Sequence, residues 1–455
     1  MKDSDGLSID STLARYISQA IMAEVPQEVL LRARCHLLDT LVAILSGRSL
    51  PAGAFGYRFI ESARSGADAT LLGGSVRAGL EQAAFANAMA AHADETDDSH
   101  AGGRFHPGCA IVPAALAVAE HENCSAQELL KAIALGYDVG ARATMALGYS
   151  NPRTTVFSTH SIGALFGAAA ASGALLRLSA SEAEALLSLT VQQASGLSYW
   201  IRDPDHVEKS FDFGAKAARN GVFAALLAKA GMTTPDTPLT GDRSYLEAFA
   251  EIPRPELLSQ GLGTRFEIRQ ASIKKWSVGS PIQSVLDAIE LLFGGASVPG
   301  DAIRSVEVRL PANRIHVIDD RPMPAVCCQH LVALALTDGR VGFAGSHDSD
   351  RMEDPHIRAL RRKVRLVPDG TLSRARPERQ AIVTVEMADG TTRRHHTRVV
   401  HGTPDDPMTP GDVAAKARDI LDPILGRRAK LLIDLCLMAD FTPGALAAAC
   451  RIDTE

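Results

Sequence analysis

HADETDDSHAGGRFHPGCAIVPAALAVAE, residues 92–120, sets Asp94, Glu95, Asp97 and Asp98 beside His92, His100 and His106. Gly102, Gly103 and Arg104 separate the acids from the His106–Pro107 step. Like carboxylates raise one another's pKa and resist desolvation, so the cluster is costly unless it is solvated or employed. Long apolar helical patterns flank it on both sides. A polar loop anchored at both ends by helices is a common place for a pocket. The plainer alternative is a solvated acidic loop, against which stand the three histidines, the glycines and Pro107. Asp, Glu and His also suit a divalent ion, but no HExxH or calcium-loop spacing occurs, and no metal or other cofactor is expected.

Working outward toward the N-terminus, the spacing predicts a helix over 11–23. A second opens at Pro26 and runs to about Ser46, with Gly47 past its end. There Val29, Leu30, Ala33, Leu37, Leu38, Leu41 and Leu45 form a buried stripe. Ala78–Ala91 is an alanine-rich helix that delivers the chain into the cluster. Pro113 is expected to start the helix leading away, and Ser125–Glu128 has capping-box spacing for a helix to about Met145. The plan then repeats as helix, polar loop, helix. Loop 147–160 carries Tyr149, Arg153 and His160, loop 199–214 carries Lys209, and the stretch from 272 carries Lys274 and Lys275. Between them lie helices over 162–176, behind a Ser181–Glu184 capping box, and from Gly214 to Gly231.

Nothing in this part alternates strand with helix as a parallel sheet requires. Beyond residue 300 the pattern changes. Strands are expected over 305–310 and 363–367, a helix over 326–336, and a hairpin over 381–400 around Asp389–Gly390. The RRHH run at 393–396 reads as an exposed polar strand. Helical periodicity returns over 410–424 and 431–438. The fold class expected is therefore mainly α: an all-helical domain of residues 1–271 and 406–455, and a smaller α+β domain of residues 272–405.

A chain of 455 residues is too long for one ordinary core. A net charge of −6 gives no reason to expect nucleic acid or an anionic membrane as partner. The seven cysteines show no CxxC and read as buried thiols of a reducing, cytoplasmic compartment. No secretory signal or membrane span is evident. No GxGxxG after a strand, phosphate loop or GxSxG elbow occurs, which weighs against dinucleotide, nucleotide and hydrolase classes.

Several segments together resemble the MmgE/PrpD family, which includes 2-methylcitrate dehydratase, cis-aconitate decarboxylase and iminodisuccinate epimerase. They are RCHLLDTLVAILSG at 34–47, ETDDSHAGGRFHPGCAIVPAALAVAE at 95–120, GALFGAAAASGALLRL at 163–178, KSFDFGAKAARNGVFAALLAKAG at 209–231 and HGTPDDPMTPGDVAAK at 401–416. The resemblance implies a helical domain completed by the C-terminus, a smaller α+β domain, a homodimer, a cofactor-free site and small di- or tricarboxylate substrates. It carries site roles onto Asp97, Asp98, Ser99, His106, Lys209 and Lys274.

This chain departs from the dehydratase and decarboxylase pattern where Phe157 and Gly279 stand in place of histidines, where His160 takes a hydroxyl position, and where His330 and Cys327 replace a tyrosine and a serine. Those departures favour epimerisation of an iminodicarboxylate such as iminodisuccinate. Tyr149 and Lys275 are the expected acid–base pair, with Lys274 competing for the lysine role and His106 also catalytic. Arg104, Arg153, His160 and Lys209 are expected to bind substrate with Asp97, Asp98, Ser99 and Lys274. The runner-up is dehydration of a 2-methylcitrate-like acid with His160 as the working histidine. A carboxylate-binding protein without catalysis is the third reading.

Overall fold

The structure is a computed structural model that describes residues 6–149, 156–438 and 440–452. It divides into one unit of Met1–Ala93, Asp97–Ala271 and Leu421–Glu455 and another of Asp94–Thr96 and Ser272–Ile420. Residues 406–420 thus stay with the second unit, where the sequence reading had them with the first.

The first unit is mainly helical, as the patterning indicated. Helices Ile9–Gln19, Gln27–Gly47, Leu80–Ala91, Gly108–His121, Ala126–Met145, Thr159–Leu175, Ala180–Gln193 and Lys216–Lys229 form its body. The C-terminal helix Arg428–Leu437 returns to it, and Arg34 Nη1 donates to the Cys436 carbonyl at 2.9 Å. The seven cysteines are free and buried.

Three local expectations need correction. Pro113 lies inside the helix Gly108–His121 rather than at its start. That helix begins earlier because the Asp98 carboxylate accepts from the Gly108 N–H at 2.9 Å, serving one of the donors a helix start leaves open. The capping box of helix Ala180–Gln193 is Ser179 with Glu182, two residues before the pair expected. Gly214 is not a helix start. Val207–Ser210 is already α-helical and runs through a π-helical turn, Phe211–Ala215, into Lys216–Lys229.

Helices Ala126–Met145 and Thr159–Leu175 approach so closely that side chains are excluded at the contact. A Cβ on Gly140 would lie 2.4 Å from the Gly163 carbonyl oxygen. This contact fixes the start of the second helix, on which His160 sits.

The second unit holds a four-stranded sheet in the order Val364–Asp369, Ile303–Pro311, Ala381–Met387, Thr392–Thr397. The first pair is parallel and the other two are antiparallel, with Val306 opposite Val385 and Val308 opposite Val383. These buried valines join Val285, Ile289, Leu331 and Leu334 from helices Gln283–Phe293 and Cys328–Asp338 in one core. Strand Thr392–Thr397 carries the RRHH run at the sheet edge, with Arg393 and Arg394 exposed and His395 and His396 half-buried. Among the described residues no helix is long and apolar enough to cross a membrane.

Gly140→Ala is expected to destabilise the protein by about 1–3 kcal/mol, because overpacking a filled contact forces the backbones apart. Gly300, with nothing within 4 Å of its would-be Cβ, supplies the control. Gly300→Ala should shift stability by no more than about 0.5 kcal/mol in the same chemical denaturation experiment.

Candidate active site

The acidic run is shared out among four sets of partners. Asp98 is fully buried and accepts from the Tyr137 hydroxyl at 2.6 Å and the Gly108 N–H at 2.9 Å, with His36 Nδ1 at 2.6 Å. It thereby ties helices Gln27–Gly47 and Ala126–Met145 to the start of Gly108–His121. Gly108 has to be glycine here, since a Cβ would meet Thr40 Oγ1 at 2.5 Å and Asp98 Oδ1 at 2.9 Å. Asp98, expected to touch substrate, is instead occupied by this internal network. In the second unit Asp94 accepts from Thr96 and faces His347 Nε2 at 2.9 Å. Burial would lower the His347 pKa, but Asp94 outweighs it and raises it. Glu95 receives Lys274 Nζ on its carbonyl at 2.8 Å and on its carboxylate at 3.2 Å.

Asp97 has the remaining, chemically more telling surroundings. Its Oδ2 lies 2.8 Å from His92 Nδ1 and 3.1 Å from His106 Nδ1. Burial would raise its pKa, but the two facing imidazoles outweigh that and hold it well below the usual carboxylate range. An ionised carboxylate oxygen needs a proton on each facing Nδ1, so Nε2 of His106 is left with the lone pair. His106 alone of the three keeps measurable exposure, with 11% of its side chain accessible.

Phe213, on the π-helical turn, is the platform beneath these rings. His160 stacks on it at 3.8 Å and 10°, His92 at 4.6 Å and 23°, and Trp200 meets it edge-on at 4.6 Å. His106 lies 5.5 Å from both Phe213 and His160. Lys209 Nζ stands 5.3 Å over the Phe213 ring and 2.8 Å from His206 Nε2. A lysine ammonium only donates, so His206 presents its unprotonated nitrogen there. Single-turn π-helices often accompany functional sites, and this one aims Phe213 and the Lys209 turn at the same cluster.

Burial lowers the His92 pKa to about 4 against the pull of Asp97. Burial, reinforced by His106 and His92, holds His160 well below its ordinary value. Both rings are therefore neutral near pH 7. The Trp200 indole donates to Ser158 Oγ at 3.2 Å, and Ser158 donates to Asp212 at 2.5 Å, which fixes the wall beside His160.

His92, Asp97 and His106 are the one described group whose donors lie close enough to hold a cation. In the observed arrangement one carboxylate oxygen sits between two Nδ1 atoms that need their protons. With protons on those atoms the set is hydrogen-bonded through the Asp97 oxygen.

The other expected site residues are placed as follows. Tyr149 donates to the Phe249 carbonyl at 2.6 Å, and burial with Glu251 pushes its phenol up to about 12. Lys275, in the second unit, pairs with Glu290 and lies 4.5 Å from the Trp276 ring. Arg104 adopts a left-handed φ of 52° in the turn closed by His100 and Phe105, and its carbonyl accepts from Thr159. Ser99 is buried in the two-residue strand Ser99–His100 that leads into this turn. Arg153 lies outside the described residues. At the departures, Phe157 packs edge-on against Phe249 and Gly279 donates its N–H to the Ala325 carbonyl.

Two family models cover most of the chain, the MmgE/PrpD N-terminal domain over residues 11–258 and the MmgE/PrpD C-terminal domain over 276–439. The chain belongs to the MmgE/PrpD family. It is 27% identical over 402 residues to the cis-aconitate decarboxylase of Aspergillus terreus, covering 80% of this chain and 79% of that protein. It is 28% identical over 306 residues to the cis-aconitate decarboxylase-like protein oryM of Aspergillus oryzae, covering 63% of this chain and 61% of that protein. The match thus spans about three-fifths of the oryM protein's length.

Sequence reasoning left Phe213, Trp200, His206, His36 and Tyr137 unassigned. A partial signal existed in the aromatics of the 199–214 stretch and in His206 three residues before Lys209. No comparable signal marks His36 or Tyr137, which lie within helices and meet Asp98 only in three dimensions.

A histidine whose folded pKa is depressed contributes stability above its unfolded value, near 6.5, that is lost as pH falls toward the folded value. His160 should therefore cost about 2 kcal/mol of stability between pH 7.5 and 5.0. His160→Phe keeps the stack on Phe213 and removes the titration. Denaturation at the two pH values should show a smaller acid loss in the variant than in the wild type.

Proposed function

We propose that this protein is a cofactor-independent acid–base lyase for a small unsaturated or hydroxylated tricarboxylate, with cis-aconitate the first substrate to test. The observation that carries the reading is the Asp97–His106 pair on the Phe213 platform beside Lys209. The names of the relatives support decarboxylation or dehydration over other chemistry.

The arrangement lends itself to one proton transfer. Asp97 fixes His106 Nδ1, so Nε2 gives or takes the proton. Lys209 offers a cation for a substrate carboxylate, and the neutral His160 can donate a hydrogen bond without adding charge. In decarboxylation the C–C bond to the leaving carboxylate breaks, and its electron pair forms a new alkene as CO2 departs. The old double bond shifts, and its far carbon takes one proton from His106 Nε2, which must first take that proton from solvent. Dehydration uses the same histidine to remove a proton next to a carboxylate as hydroxide leaves.

The epimerase expectation depended on Tyr149 and Lys275 as opposed acid and base. The Tyr149 hydroxyl is engaged with a backbone carbonyl and Lys275 with Glu290. Both groups thus have partners within the chain, and the lyase reading uses neither. A homodimer belongs to the proposal on the family resemblance.

His106→Asn should lower kcat by on the order of 100-fold or more, the usual share of a positioned acid–base group. Lys209→Met should act mainly on KM, raising it about tenfold through the lost ion pair. Tyr149→Phe should leave kcat unchanged. All three are read by NMR assay of cis-aconitate consumption, and a dead Tyr149→Phe beside an active His106→Asn would reverse the assignment.

A further inference from the structure

His92 is completely buried, yet it addresses the same Asp97 oxygen as His106 and from a shorter distance, 2.8 against 3.1 Å. We propose that His92 is a positioning residue for His106, acting through the one oxygen of Asp97 that both rings share. The inference rests on the reading of His106 as the acid–base group.

The geometry makes His92 the fixed end of this bridge. It caps the helix Leu80–Ala91, whose last turn is held by the Ser210 hydroxyl donating to the Met89 carbonyl at 2.6 Å. Its ring is completely buried and stacked on Phe213. The His106 ring lies edge-on to it, 4.8 Å away at 65°. A carboxylate turns easily about its Cβ–Cγ bond. An oxygen already held by a buried, immobile N–H cannot swing away from the second ring.

Charge supports the division of labour. Burial keeps His92 neutral near pH 7, so it donates a hydrogen bond without neutralising Asp97. The full carboxylate charge is left to orient His106. Asp97, His92, His160, Lys209, His206 and the Cys109 thiol are among the charged or titratable groups of the cluster around His106. The Nε2 of His92 is buried with no hydrogen-bond partner among the described residues, which fits a role directed wholly through Nδ1.

The test separates the donor from the ring. His92→Phe keeps the stack and removes the N–H, whereas His92→Asn returns an N–H close to the Nδ1 position. With cis-aconitate, His92→Phe should lower kcat on the order of tenfold at unchanged KM, and His92→Asn should recover most of it. In an Asp97→Asn background, His92→Phe should cost nothing further. Ring-15N NMR at pH 8 gives a readout that needs no substrate. His106 should be a single Nδ1–H tautomer in the wild type and in His92→Asn, and a mixture in His92→Phe. If His92→Phe does not fold, His92→Gln takes its place, since its amide nitrogen falls nearer the Nε2 position. An unchanged His106 spectrum with wild-type kcat in His92→Phe would overturn the proposal, as would a His92→Asn as impaired as His92→Phe. If even the wild type leaves cis-aconitate untouched, the lyase reading fails while the spectra still decide the role of His92.

Discussion

Two adjacent carboxylates, Asp97 and Asp98, are fully buried, and this constraint organises the first unit. A buried charge is tolerated only when its lone pairs meet donors, so each acid dictates what must surround it. Asp98 takes Tyr137, His36 and the first N–H of helix Gly108–His121, and these contacts lock three helices. Asp97, one residue earlier, takes His92 and His106. One carboxylate holds the scaffold and the other holds the His92 and His106 rings, one residue apart in sequence.

The surroundings of His106 are uncommonly apolar for a cluster with so many nitrogens. Phe213 and Trp200 supply the floor and wall, and burial keeps His92 and His160 neutral. Low polarity strengthens the interaction of Asp97 with His106 and of Lys209 with any carboxylate placed nearby. The same packing that depresses the histidines makes the protein sensitive to acid.

The mainly helical architecture was legible because its apolar stripes, capping boxes and small-residue contacts are local signals. Val29 to Leu45 and Ser125 with Glu128 illustrate this. The start of helix Gly108–His121 was not, because the side chain of Asp98, ten residues earlier, fixes it, whereas Pro113 looked like the beginning. His106, Lys209 and Asp97 could be chosen from residue type and resemblance. Which acid ties helices together and which faces two imidazoles could not, since Asp97 and Asp98 differ only in the partners they meet in three dimensions. For Tyr149 and Lys275, suitable chemistry in a polar loop says nothing of the carbonyl and carboxylate that they meet in the fold.

The central claim is that one Asp-oriented histidine carries a lyase reaction, rather than two opposed groups an epimerisation. Incubation of the wild-type protein in D2O with cis-aconitate in one tube and iminodisuccinate stereoisomers in another, followed by proton and carbon NMR, tests it most directly. The account expects cis-aconitate to lose CO2 or take up water, one solvent deuteron entering the product carbon, with no α-deuteration of iminodisuccinate. Intact cis-aconitate beside rapid deuterium entry and interconversion of the iminodisuccinate stereoisomers would contradict it.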